Sequence, residues 1–260
     1  MATIVSFHAH PDDECILCGG TLRKAADEGH RVVLVVATRG ELGEVDDGFL
    51  SEGESLRDRR VREMQASAEI LGAKRLEFLG YLDSGMMDEE TNSAPGSFWT
   101  ASVEEAAGKL AAVLDEEQAD VLTIYDDNGN YGHPDHIQVH RVGMRAAELA
   151  GTKRVYQATV NRDHARRGWE AAAAEGGQMP DVSEIPNFGK PEAELTTAVD
   201  VTAYLGVKRE AMRAHASQIS DQSFFLSMPD KHFANGFGTE WYIRVGAEPG
   251  ITESDLFTGR

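Results

Sequence analysis

Short apolar runs alternate along the chain with longer segments whose apolar residues recur at helical spacing. Residues 3–8, with the run Ile4-Val5-Ser6-Phe7, read as a first strand, and residues about 15–29 as a helix with Gly29 near its end. The continuous run Arg31-Val32-Val33-Leu34-Val35-Val36-Ala37 is of the kind buried on both faces of a parallel sheet. Over residues about 55–71, Val61, Met64, Ala68 and Leu71 share one helical face and Gly72 marks the stop. A short strand at 76–79, a helix at about 102–117, a strand at 120–125, a helix at about 135–150 closed by Gly151 and a strand at 154–160 continue the alternation. Residues 161–196 lack clear periodicity and carry Gly176-Gly177, Pro180, Pro186 and Pro191, which predicts an excursion over the core, a cap above a site. Beyond it, residues 199–215 carry a helix and Trp241-Tyr242-Ile243-Arg244-Val245 a strand.

This β-α-β-α rhythm predicts an α/β fold, a mostly parallel, doubly wound sheet with helices on both faces. The expected organisation is a single domain over residues 1–260. In such sheets ligands bind at the carboxyl ends of the strands, near the point where strand order reverses. Two polar clusters fall at predicted strand ends. Ala9-His10-Pro11-Asp12-Asp13-Glu14 follows the first strand, and Tyr131-Gly132-His133-Pro134-Asp135-His136 lies shortly after the strand at 120–125.

Composition removes several function classes. A net charge of -19, from 25 basic and 44 acidic residues, disfavours sequence-independent binding to nucleic acid or to an anionic membrane. No apolar run approaches the ~18 residues needed to span a bilayer. The N-terminal residues lack the charged and apolar regions of a signal peptide, so a cytoplasmic location is the simplest expectation. No Gly-x-Gly-x-x-Gly follows the first strand and no phosphate-binding Gly-Lys-Ser/Thr loop is present, so dinucleotide and ATP chemistry lose support. The two cysteines, Cys15 and Cys18, form one C-x-x-C. Without a second pair a closed structural zinc site is excluded, and two small apolar residues on one helix face are the expected reading.

The two clusters together point to metal chemistry. A catalytic zinc site needs three protein ligands and an open position for water. His10, Asp13 and His136 can supply the ligands, and Asp12 then stands beside the metal as a free carboxylate, placed to act as general base. A metal lowers the pKa of its water from about 15.7 toward about 7, which makes hydroxide available at neutral pH. His133 is placed to donate a proton to a leaving amine, Asp135 to orient His133, and Tyr131 to meet a developing oxyanion. His140, one turn beyond His136, is a rival ligand by spacing but is expected on the helix surface or behind the ligands. Pro11 and Pro134 suit the first turn of a helix, and a neighbouring Asp is favoured there, which accounts for either cluster singly but not for the pair.

At these residues the sequence resembles the LmbE-like (PIG-L) zinc deacetylases. Weaker matches extend over most of the first 160 residues: Gly19-Gly20-Thr21, Thr38-Arg39-Gly40-Glu41, Arg60 with Glu63, Leu71-Gly72 and Tyr81-Leu82-Asp83-Ser84-Gly85-Met86. The stretch from Lys208 to Gln218 also looks like the family. The resemblance implies a Rossmann-like fold and zinc-dependent hydrolysis of an N-acyl, typically N-acetyl, group on a small amino-sugar substrate. It implies the same ligands, His10, Asp13 and His136, and the same base, Asp12, and it adds Arg60 and Asp83 as residues that hold sugar hydroxyls. Zn2+ is the implied cofactor, with Fe2+ or another divalent ion open.

Within the family the chain looks closest to the mycothiol-pathway enzymes, of which one branch deacetylates N-acetylglucosaminyl-inositol and another cleaves the amide of mycothiol S-conjugates. The amidase branch typically has a Lys soon after the first motif and a Pro before the second, where this chain reads Cys15-Ile16-Leu17-Cys18 and Tyr131-Gly132. That favours the deacetylase and leaves open an S-conjugate amidase or a natural-product N-deacylase. A non-catalytic sugar-binding module is the reading from another class, and the presence of Asp12 argues against it. The sequence leaves a homo-oligomer open.

Overall fold

Val32, Leu34 and Val36 pack to one side of their strand and Val33 and Val35 to the other, and all five are fully buried. Period-two alternation puts each set on its own face, so a run that is apolar throughout needs cover on both. The computed structural model describes residues 1–175 and 188–257, and it supplies that cover with two helical layers. Leu22, Met64, Leu71 and Met212 meet one face of the sheet, and Ala106, Leu110, Val139 and Val142 meet the other.

The elements follow in chain order. β1 (Thr3–His8) leads through a π-helical turn (Glu14–Cys18) into α1 (Gly19–Asp27), and β2 (Arg31–Val36) and α2 (Leu56–Leu71) come next. Then come β3 (Arg75–Phe78), α3 (Val103–Glu116), β4 (Val121–Tyr125), the helical turn α4 (Gly129–Gly132), α5 (Pro134–Ala150) and β5 (Arg154–Thr159). The second half contains α6 (Arg162–Ala174), β6 (Thr197–Asp200), α7 (Leu205–Ala214), α8 (Phe224–Ser227), α9 (Asp230–Phe237) and β7 (Thr239–Arg244). Ser55 and Ser102 accept backbone N–H groups as N-caps of α2 and α3, and the stop expected at Gly72 ends α2 at φ 80°.

Among the described residues the sheet has seven strands in the order β3-β2-β1-β4-β5-β7-β6. Its first five strands pair in parallel, while β7 runs antiparallel to both β5 and β6. Strand order reverses between β1 and β4. After β1 the chain enters the layer of α1, after β4 the layer of α5, and a crevice opens between the two carboxyl ends. No helix among the described residues is long and apolar enough to cross a membrane.

Three expectations are corrected. Residues 161–196 hold a helix, α6, where no periodicity was found: only Ala172 is buried along it, so the segment has no apolar stripe to read. The predicted cap falls partly on residues 176–187, which lie outside the described residues. Residues 197–200 form a strand, and the helix predicted over 199–215 begins only at Leu205. The helix expected from residue 15 opens with the π-helical turn instead, five residues long, and becomes α-helical at Gly19.

Candidate metal centre

The backbone at the end of β1 turns sharply at Asp12, which sits at φ 108°, a conformation that L residues rarely adopt. Glu14 holds it there: its Oε2 accepts the Asp12 N–H at 3.0 Å. The same carboxylate is fixed through Oε1 by Ser67 Oγ of α2 at 2.5 Å and by Nε2 of His215 at 2.7 Å. All three residues are fully buried. Burial works to raise the Glu14 pKa, but His215 and Ser67 outweigh it and hold it below the usual range. Ser217, two residues on, donates both its N–H and its hydroxyl to Glu63 of α2, at 2.9 and 2.6 Å.

At the end of β4, Asp126 accepts the N–H groups of Asn128 and Asn130 and the Thr159 hydroxyl, which folds the chain tightly into α4. Gly129, at φ 60°, lies against His136, and a Cβ there would collide with the Cβ of that histidine. His133 is the N-cap of α5 and Pro134 opens the helix, so His136 rises from the first turn into the crevice.

The two clusters meet. His10 Nδ1 lies 3.6 Å from Asp13 Oδ2, and His136 Nε2 lies 3.4 Å from Asp13 Oδ1. His10 Nε2 stands 3.1 Å from Asp135 Oδ2 and 3.5 Å from Asp83 Oδ1. A carboxylate only accepts, so in the neutral ring Nε2 of His10 carries the hydrogen and Nδ1 is left to offer a lone pair on the side of Asp13. His133 Nδ1 accepts the Asp135 backbone N–H at 3.1 Å, which puts the ring hydrogen of neutral His133 on Nε2. Ring nitrogens of His10, His133 and His136 come within 4.8 Å of one another, a group able to hold a metal ion. The hydrogen on His133 Nε2 makes it the poorest donor of the three. Two nitrogens and a carboxylate, with a second carboxylate behind His10, form the donor set that suits zinc.

Electrostatics follow from burial and crowding. Burial alone would lower the His10 pKa, yet Asp83, Asp13 and Asp135 around it drive it well above its usual value. Burial would raise Asp13, but His136 and His10 hold it far below the carboxylate range. Burial, with His10 and His136 alongside, pushes His133 down to about 2. Asp12 is pushed up by burial to about 6 against the opposing pull of Arg60.

Asp135 was expected to orient His133 with its carboxylate, and the structure corrects this. The carboxylate is taken by His10, the Ser84 N–H at 3.0 Å and the Ser84 hydroxyl, so only the backbone of Asp135 steadies His133. The Tyr131 hydroxyl is 3.5 Å from His136 Nε2, at the rim of the cluster. His140 bonds the Tyr125 carbonyl at 3.0 Å, away from the His10, Asp13 and His136 cluster. Arg60 is buried, not a surface residue, and donates to the carbonyls of Gly40 and Pro11 and to Asp12 Oδ2 at 3.1 Å. The Asp83 carboxylate accepts the Gly85 N–H at 2.9 Å and faces His10. Cys15 and Cys18 are free and buried.

Sequence reasoning gave no role to His215, Ser84, Lys208 or Glu240. His215 and Lys208 lie within the stretch from Lys208 to Gln218, which stood out only as a whole. Glu240 accepts Lys208 Nζ at 2.6 Å and the N–H groups of Gly20 and Thr21 at the start of α1, all in the interior. Nothing in the local sequence announces a pairing across 32 residues.

The profile of the PIG-L family, GlcNAc-PI de-N-acetylase, matches residues 5–147. A 1D-myo-inositol 2-acetamido-2-deoxy-alpha-D-glucopyranoside deacetylase from Streptomyces griseus is 41% identical over 97% of this chain and 87% of its own length. An enzyme of the same name from Geodermatophilus obscurus is 39% identical over 97% and 96%. Among solved structures, N,N'-diacetylchitobiose deacetylase from Pyrococcus horikoshii has the same fold: TM-score 0.57, 22% identity, 94% of this chain and 83% of that one. The chain belongs to the PIG-L family.

Proposed function

We propose that this PIG-L family member hydrolyses the N-acetyl amide of an amino-sugar derivative, and that N-acetylglucosaminyl-inositol is its substrate, with His10, Asp13 and His136 as ligands of a zinc ion. The observation that carries the reading is the convergence of His10, Asp13 and His136 beside an Asp12 that no ligand role consumes. Identity of about 40% to two deacetylases of that glycoside supports the substrate.

A divalent ion held by these three side chains supplies Lewis-acid activation of water and of the amide carbonyl. Asp12 takes the proton of the attacking water. Arg60 at 3.1 Å holds its Oδ2, which leaves Oδ1 for that task. Tyr131 turns its hydroxyl toward the oxygen on which negative charge develops. His133, neutral with its hydrogen on Nε2, offers a hydrogen bond to the departing nitrogen, and the proton that Asp12 took from the water passes to that nitrogen, which leaves as an amine. Asp135 and Ser84 fix the ring of His10 from behind. Asp83, on the His10 side of the cluster, is assigned to a sugar hydroxyl, and Arg60 is assigned to another.

The test is one paired experiment. Elemental analysis of the purified protein gives metal per chain, and a fluorescamine assay follows amine release from N-acetylglucosamine and from N-acetylglucosaminyl-inositol, with and without chelator. About one zinc per chain and chelator-sensitive release are expected. A protein that takes up no divalent metal after reconstitution would refute the reading.

A further inference from the structure

Ser6 and His8 of β1 and Thr123 and Tyr125 of β4 are polar side chains in the interior of the sheet, all buried. Ser6 and Thr123 are register partners, and their hydroxyls lie 2.6 Å apart. Ser6 Oγ is 2.7 Å from His8 Nε2, and His8 Nδ1 is 2.9 Å from the Tyr125 hydroxyl. Buried polar groups cost free energy unless they are paired, and valine or phenylalanine would fill these positions without that demand. The four therefore form a single file of hydrogen bonds that sheet packing alone does not call for.

The file ends at the metal centre. The Tyr125 hydroxyl accepts the N–H of Ala9, the residue before His10, at 3.2 Å. Its ring lies against that of His136, with centroids 4.7 Å apart. The same hydroxyl hydrogen-bonds the Asp13 carboxylate. One side chain thus supports all three residues assigned to the metal.

The hydrogens can run only one way along the file. A carboxylate only accepts, so Asp13 takes the single hydroxyl hydrogen of Tyr125. The tyrosine oxygen then accepts from Ala9 and from His8, so His8 carries a hydrogen on Nδ1. Neither ring partner of His8 is charged, and burial disfavours the imidazolium, so Nε2 is bare and accepts the Ser6 hydroxyl. Ser6 in turn accepts from Thr123. Every hydrogen points toward Asp13.

We infer that Tyr125 and His8 are positioning residues for the metal: Tyr125 fixes the Asp13 carboxylate, and His8 fixes the hydroxyl of Tyr125. The inference rests on the reading of His10, Asp13 and His136 as ligands. The Asp13 carboxylate already accepts the His10 N–H at 2.9 Å, and a second donor holds its plane before an ion arrives. A neutral file aims a dipole at Asp13 without setting a positive charge beside the site, so the carboxylate keeps its full charge for the cation.

Competition against a chromophoric chelator tests this. Zinc affinity is expected to fall about 10–100-fold in Tyr125→Phe. His8→Leu should lose about as much, and His8→Asn, which keeps a side-chain N–H near the place of Nδ1, should recover most of the loss. Adding His8→Leu to Tyr125→Phe should cost nothing more, since His8 acts through that hydroxyl. A general loss of packing would instead add the two losses and leave His8→Asn no better than His8→Leu. Additive losses, or wild-type affinity in Tyr125→Phe, overturn the inference alone. A wild-type protein that takes up no zinc refutes the ligand reading, and this inference with it. Nitrogen NMR of the unaltered protein with labelled histidines decides the point even where a variant does not fold. His8 is expected to carry its hydrogen on Nδ1 at neutral pH, and a hydrogen on Nε2 alone would reverse the file and overturn the inference.

Discussion

His215 Nε2 and Glu14 Oε1 lie 2.7 Å apart across 201 residues of chain, with no exposure on either side chain. Glu14 in turn holds the Asp12 backbone in its left-handed conformation. His215 therefore touches neither the proposed metal nor the substrate, yet it determines where the proposed base points. His215→Ala is expected to lower kcat about 10–100-fold, with KM and metal content little changed. His215→Gln keeps a donor toward Glu14 and should recover much of the loss. Steady-state kinetics beside elemental analysis of both variants checks this. A parallel fall in bound metal would mean that the pair supports the ligands and not Asp12.

Asp12→Asn keeps the size of the side chain and its contact with Arg60 but removes the base. Amine release should fall on the order of 10²–10⁴-fold while about one metal per chain is retained. An Asp12→Asn variant with unimpaired turnover would remove Asp12 from the mechanism.

The metal predictions separate ligands from their support. Asp13→Ala and His136→Ala should each abolish stoichiometric metal binding. Asp135→Asn should still bind one ion, but about 10–100-fold more weakly, because it loses the carboxylate behind His10. Competition against a chromophoric chelator measures all three. Equal affinity for Asp135→Asn and wild type would show that the Asp135 carboxylate is not what orients His10.

Burial pushes the Cys18 thiol up to about 12, with Glu240 nearby adding to the effect. A raised thiol pKa means that the reactive thiolate is scarce at every pH below it. At pH 8 the native protein should react with iodoacetamide far more slowly than a free thiol, and both cysteines should label promptly in denaturant. Mass spectrometry counts the adducts. Fast native labelling at Cys18 would contradict its placement in the core.

Lys208 and Glu240 are 1% and 2% exposed, so removing one charge strands the other. Lys208→Met should destabilise the fold by about 3–5 kcal/mol in urea denaturation. Lys208→Met combined with Glu240→Gln should cost less than the single change. The remaining difference reports how much Glu240 contributes as the cap of Gly20 and Thr21.

What the sequence disclosed tracks how local each signal is. β2 was legible because both its faces are buried, which leaves a run of valines and leucine with no polar residue to break it. α2 was legible from an apolar stripe and a terminal glycine, both within the helix or next to it. α6 was not, because it rests on the fold through few apolar contacts and its Arg- and Ala-rich surface resembles that of a loop. The same division holds at the site. His10, Asp13 and His136 stand in short motifs whose chemistry can be read from spacing. The partner of Asp135 could not be read so, since Ser84 reaches it from a loop 51 residues earlier. Its neighbour in sequence, His133, was the natural but mistaken choice for its carboxylate.

The docking of residues 208–217 onto the first half has a consequence for how this protein can be divided. Every proposed ligand, the base and both sugar contacts lie before residue 140, within the stretch that the family profile matches. A fragment made of that stretch would carry the full set of reacting groups. It would lack His215 to anchor Glu14, Ser217 to engage Glu63, and the Lys208–Glu240 pair beneath α1. The motifs are thus an incomplete inheritance: a chimera that transplants them must also import the distant C-terminal contacts, or it will have the ingredients of a hydrolase without the posture of one.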